Sequence, residues 1–165
     1  MTGSTDAALL LIRVCLGVVL LAHAWNHALG GGRIAGTADW FEGLGLRPGV
    51  VHAWASVVTE VAAGAGLILG LLTPLACAAA IGVMCVAFVT VHLPHGFFIF
   101  REGYEYVAVI AIVSAAVGIA GPGGISADAA LGLDLSGWTG FALSTVPGVL
   151  GAALTLGFAW RPNRG

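Results

Sequence analysis

Residues 50–72, VVHAWASVVTEVAAGAGLILGLL, form an apolar run that carries a single carboxylate, Glu60, near its middle. About 20 such residues cross the hydrocarbon core of a bilayer as a helix. A charged side chain at that depth costs roughly 2.5–3.5 kcal/mol on insertion scales, so it is expected to face a bundle interior, a partner charge or a water-filled cavity. At about 100° per residue, His52, Ser56, Thr59, Glu60, Ala63, Gly66 and Gly70 share one side of the helix. Val57, Val61, Ile68 and Leu72 lie mostly elsewhere. The first set reads as a small, polar packing face, because small residues let helices approach closely in lipid, where packing drives association.

The rest of the chain has the same apolar character. Its 165 residues are 59% hydrophobic and 8% charged, which places it outside the soluble class and leaves room for one domain, residues 1–165. The expected fold is all-α, a polytopic membrane helix bundle. A net charge of −2 without any Lys/Arg cluster excludes a nucleic-acid binder, since nothing neutralises phosphates. Cys15, Cys77 and Cys85 lie inside apolar runs with no CxxC spacing and read as structural thiols. Ala22-His23-Ala24 mimics a signal-peptide cleavage site, but no basic region precedes the apolar run and Arg13 interrupts it, so a retained helix is expected.

In chain order, residues 7–29 form the first span, with Arg13, Gly17, Leu20, Ala24 and His27 on one face. Arg13 is therefore the expected partner of Glu60, directly or through a water; the alternative is that it snorkels to the interface. Gly30-Gly31-Gly32 ends this helix, and residues 36–46 read as a short interfacial helix anchored by Trp40 and Phe41. Pro74 starts the third span, residues 75–91, and Pro94 stops it. Residues 104–119 form the fourth span, after an aromatic and imidazole-rich loop. Gly121-Pro122-Gly123-Gly124 and a Gly-rich connection with Asp128 and Asp134 lead to residues 138–160, an additional C-terminal helix with an expected kink near Pro147. With five spans, Arg33, Arg47, Arg101, Arg161 and Arg164 share one side, which the positive-inside rule makes cytoplasmic.

In that topology His23, His27, His52, His92 and His95 gather toward one end of the bundle. His23-x-x-x-His27 has the i, i+4 spacing that can place two imidazoles on one metal, with a third from His52 or His92. Facing helices can instead offer axial imidazoles to a haem, or the histidines can line a quinone pocket. The plainer alternative satisfies them with water, headgroups and backbone carbonyls, and no metal is assigned on so short a pattern. Glu102 and Glu105 suit a helix N-terminus, where the macrodipole favours negative charge. Glu105 can also join His92 in a proton or ligand path. No catalytic nucleophile, P-loop or dinucleotide fingerprint is present, so any catalytic residue is unknown and no activity of the chain by itself is expected.

Several of these pieces resemble the DoxX family of small bacterial membrane proteins. They are Arg13-x-x-Leu16-Gly17, Gly36-Thr37-Ala38-x-Trp40-Phe41-x-x-Leu44-Gly45-Leu46, and Glu60 followed by Leu67-Ile68-Leu69-Gly70-Leu71-Leu72-Thr73-Pro74-Leu75-Ala76. The likeness continues through His92-Leu93-Pro94-His95-Gly96-Phe97-Phe98, Gly103-Tyr104-Glu105-Tyr106 and Gly121-Pro122-Gly123-Gly124-Ile125-Ser126-x-Asp128, in order over about residues 10–128. Two features depart from the pattern: His23-Ala24-Trp25-Asn26-His27 lacks the usual Gly and Lys, and a further helix extends the four-helix core of about residues 7–120. The resemblance implies a multi-pass protein of the bacterial cytoplasmic (inner) membrane. It further implies a subunit or anchor of a redox-related complex, quinone-linked or concerned with thiol or oxidative stress, since relatives include a membrane subunit of archaeal thiosulfate:quinone oxidoreductase. Expected partners are the bilayer and proteins of such a complex, with self-association into a homo-oligomer as a further expectation. The competing functional classes are a haem- or quinone-binding oxidoreductase subunit at the histidine end and a small proton-coupled permease using Glu60.

Overall fold

The computed structural model describes residues 3–133 and 135–162. Among these the regular structure is helical: α1 (Gly3–Leu29), α2 (Arg33–Gly43), α3 (Gly49–Leu69), α4 (Thr73–Ala87), α5 (Glu105–Ala120), the single turn α6 (Ala127–Ala130) and α7 (Gly137–Ala159). A π-turn over Phe88–His92 and a 3-10 turn over Leu93–His95 prolong α4. Four stretches, Gly3–Leu29, Gly49–Leu69, Thr73–His95 and Gly137–Ala159, are long and apolar enough to cross a membrane. The fourth expected span, residues 104–119, is α5, whose 16 residues make it shorter than these four. Asp134 and Arg164 lie outside the described residues.

The bundle is held by close approach rather than by bulky interdigitation. α1 and α3 run antiparallel with Gly17 against Gly64; a Cβ on Gly17 would come within 2.6 Å of the Gly64 carbonyl oxygen, so only glycine lets the two backbones meet. On α1 the buried face is Leu9, Arg13, Leu16, Gly17, Leu20 and Ala24, as the periodicity anticipates. On α3 the face is rotated from the expected one. Ala53, Val57, Glu60, Ala63, Gly64 and Leu67 are buried, so Val57 points inward while His52, Ser56 and Thr59 sit at its margin. The core beneath these helices is Leu16, Leu20, Leu67, Cys77, Met84, Val107, Ile110 and Val117.

α3 ends where Gly70 turns left-handed, at φ 62° and ψ 44°, and the Leu71 amide bonds back to the Gly66 carbonyl at 2.9 Å. This glycine-dependent cap reverses the chain within three residues, and Pro74 lies in the first turn of α4. α7 runs unbroken through Pro147 and packs along α4 and α5. Its end is tied to the link before α3: Trp160 Nε1 donates to Leu44 O at 3.0 Å, the Arg47 amide to Ala159 O at 3.0 Å and the Arg161 amide to Gly45 O at 2.7 Å. Arg33, Arg47, Arg101 and Arg161 therefore share one end of the bundle with His27.

Candidate functional site

The structure separates Arg13 and Glu60, the two residues expected to pair. The antiparallel register set by Gly17 and Gly64 puts Arg13 opposite the C-terminal turn of α3, two turns beyond Glu60. Arg13 is completely buried; Nη1 donates to Leu67 O at 3.0 Å and Nη2 to Ile125 O at 2.5 Å, while Nε has no hydrogen-bond partner. Nearby, Asp128 accepts from the Leu72 amide at 2.7 Å and the Thr73 amide at 2.9 Å, while its own amide donates to Gly70 O at 2.8 Å. The carboxylate thus caps the start of α4, and the opposite charge of Arg13 lies across the same turn. Ser126 caps α6 and holds this arrangement from the other side, its Oγ accepting from the Ala129 amide at 3.1 Å. Arg13 is a clasp joining α1, the end of α3 and the chain after α5.

Glu60 belongs instead to the histidine end. Its Oε1 accepts from Ser56 Oγ at 3.1 Å and lies 3.7 Å from His27 Nε2, an ion-pair distance rather than a hydrogen bond. Its Oε2 is buried with no hydrogen-bond partner. The His27 ring is fixed by aromatic contacts, stacked on Trp40 at 6.0 Å and edge-on to Phe41 at 5.7 Å. α2 is docked there because Thr37 Oγ1 donates to the His27 carbonyl at 2.7 Å, just where α1 is running out of internal partners. The two aromatics expected to anchor the helix at the interface thus also wall the imidazole. One turn back on α1, His23 reaches the bundle surface, with Nε2 3.3 Å from Tyr106 Oη on α5. The His23 and His27 rings are 6.4 Å apart. From Glu60 to His27, His23 and Tyr106, polar groups run from the interior to the exposed side where α1 meets α5.

The other expected site residues are engaged elsewhere. His52 is half-buried one turn before Ser56 and contributes no hydrogen bond or ion pair to the cluster. His92 uses Nδ1 on Glu102 O at 2.6 Å, and His95 uses Nδ1 on Val91 O at 2.9 Å. Glu105 does not meet His92; its Oε2 accepts from the Ile99 amide at 3.1 Å, which fits an acidic residue at the start of α5. Among the described residues no three His, Cys, Asp or Glu side chains stand close enough to hold a metal ion, so the expected third ligand to His23 and His27 is not brought in. His23 and His27 also lie on one side of one helix, which does not present facing axial imidazoles to a haem. An apolar cavity of about 280 Å³ lies between α4, α5 and α7, lined by residues such as Met84, Cys85, Phe88, Val107 and Ala152, and it touches neither Glu60 nor any histidine.

Ser56, Tyr106 and Asp128 were not singled out by their spacing. Ser56 stood on the expected face of residues 50–72, and Ser126-x-Asp128 has the form of a helix cap, but only the packing shows what each one touches.

The fold and this polar interior define a polytopic α-helical membrane protein. The family model for DoxX matches residues 8–93, just over half of the chain, and the protein belongs to the DoxX family. The matched region contains Arg13, His23, His27, Trp40 and Glu60; Tyr106, Asp128 and α7 lie beyond it. The comparison with curated proteins and that with solved structures each return no match.

Proposed function

We propose that the protein is a membrane subunit of a redox-related complex in the bacterial cytoplasmic membrane, and that the cluster around Glu60 receives the headgroup of a lipid-soluble quinone. The observation that supports this is the partnerless Glu60 Oε2, buried in the bundle at the inner end of a row of proton-bearing side chains. Buried polar atoms in proteins are nearly always paired, so an orphaned carboxyl oxygen calls for an explanation.

A quinone fits the chemistry of this row. Its carbonyl oxygens accept hydrogen bonds, which Tyr106 Oη and a ring nitrogen of His23 can donate; its reduced form bears hydroxyls, which Tyr106 Oη and an unprotonated ring nitrogen of His23 can accept. When bound, the group supplies reversible two-electron chemistry coupled to protons. His23 and Tyr106 would orient it at the exposed end of the row. His27 and Glu60 would take up or deliver a proton behind it, and Trp40 and Phe41 keep bulk water from the imidazole. The headgroup needs no deep cavity, because His23 is exposed at the surface that faces lipid. The soluble proteins of such a complex would dock at the end of the bundle that carries the arginines.

The test is purification from native membranes in mild detergent, with quinone extraction, an absorption spectrum and mass spectrometry on one sample. Bound quinone and co-purifying redox proteins are expected for the wild type, with quinone lost in Glu60→Gln and Tyr106→Phe. A folded protein that is colourless, quinone-free and without partners overturns the proposal.

A further inference from the structure

The connection from α4 to α5 joins a long apolar span to a short one. α4 and its extension form one apolar span, Thr73–His95, of 23 residues, or about 34 Å at ~1.5 Å per residue. α5, with 16 residues, reaches only about 24 Å, short of the ~30 Å hydrocarbon core. The start of α5 is level with Phe88, whose ring meets Tyr104 edge-on at 5.0 Å. Beyond Phe88, α4 therefore continues with no helical neighbour from α5.

Residues 96–103 fold back into that space. The Tyr104 amide donates to Gly96 O at 2.9 Å, Glu105 to Phe97 O at 2.8 Å and Gly103 to Phe98 O at 3.0 Å. Glu105 Oε2 holds the Ile99 amide, and His92 on the extension of α4 holds Glu102 O. Irregular backbone is tolerated at membrane depth only where its polar groups are satisfied internally, and here many of them are. The outward surface is apolar: Phe98 is 53% exposed, Ile99 49% and Phe100 76%. Phe98 and Phe100 stack at 5.2 Å, and the Arg101 guanidinium lies 5.9 Å over the Phe100 ring. Arg101 and Glu102 form the polar rim, as expected of side chains that keep their charges among headgroups.

We propose that residues 96–103 are a membrane-inserted segment that seats Phe98, Ile99 and Phe100 at the acyl–headgroup boundary and completes the crossing that α5 begins. The partner is the lipid bilayer, and the proposal stands independently of any quinone. Aromatic and aliphatic side chains at this boundary act as an anchor, as in interfacial belts.

The experiment places a nitroxide at Phe100→Cys in a Cys15→Ala background, reconstituted in phosphatidylcholine vesicles, and measures collision with oxygen and with a polar nickel chelate. Cys15 is removed because it is the exposed cysteine on α1. Leu154→Cys on the outer face of α7 and Asp39→Cys on α2 serve as lipid and water references. Position 100 is expected to resemble 154, with oxygen accessibility several-fold above that of nickel. Nickel accessibility equal to that at 39 overturns the proposal. A phospholipid bearing a diazirine in its acyl chain, photolysed with the unmodified protein, is expected to label residues 97–100. A protein labelled on α7 but not there also overturns the proposal, whatever the fate of the cysteine variant.

Discussion

Arg13 and Glu60 are ionisable side chains buried on the facing sides of the same helix pair, at 0% and 2% exposure, yet their surroundings are opposite in kind. Around Arg13, charge is met mainly by backbone and by one fixed carboxylate: two carbonyls accept from the two Nη atoms of its guanidinium, whose Nε has no hydrogen-bond partner, and Asp128 takes two amides that the start of α4 leaves free. Around Glu60, the neighbours are side chains, the Ser56 hydroxyl and the His27 imidazole, and one carboxyl oxygen has no partner. Backbone partners cannot titrate or leave, so the first centre has one stable state and serves architecture. A carboxyl beside an imidazole, with an open acceptor, can exchange a proton or a ligand. Polar residues in a membrane bundle can thus be sorted by what satisfies them.

The most severe test of this contrast is removal of the clasp. Arg13→Ala strips the guanidinium from two carbonyls and leaves Asp128 without a nearby opposite charge, so a loss of about 3–5 kcal/mol is expected, as for one partner of a buried charge pair. Thermal unfolding in detergent, followed by tryptophan fluorescence, measures it; a loss below about 1 kcal/mol would show that the clasp is not structural. Asp128→Asn keeps one acceptor but removes the charge, and about 1–3 kcal/mol is expected, with faster hydrogen exchange confined to Leu72 and Thr73. Exchange accelerated throughout the bundle would contradict a local cap. Glu60→Gln is expected to have the smallest effect on stability, about 1 kcal/mol or less, because Ser56 provides its one hydrogen bond. The same variant should abolish quinone retention. A large loss of stability in Glu60→Gln, with quinone binding intact, would make the two centres alike and end the distinction.

Much of the architecture was legible because a bilayer imposes simple rules. Apolar runs of about 20 residues must become helices, and Gly70, Pro74 and Gly121-Pro122 can only interrupt them. The packing face of α1, the presence of a short helix with Trp40 and Phe41, which begins and ends three residues earlier than the expected 36–46, and the C-terminal helix that packs on α4 and α5 all follow from such local signals. The pairing of Arg13 with Glu60 did not hold, for a reason of register. Opposite charge nominates partners, but depth selects them, and the depth of α1 against α3 is set where Gly17 meets Gly64. The inward turn of Val57 has the same origin, since which arc of α3 is covered depends on where α1 and α4 lie. Histidines grouped by chain topology were likewise divided by packing: His27 faces Glu60, whereas His92 and His95 bond the turns that prolong α4.

From its sequence alone the chain was bound to be an all-helical membrane protein, because hydropathy and helix breakers act within a few residues and do not depend on partners. Which carboxyl meets which cation, which amides Asp128 caps, and how the aromatic segment fills the depth beyond a short α5 were decided only by the tertiary structure. Those contacts join residues far apart in the chain, and their choice depends on helix register, a property of the assembled bundle.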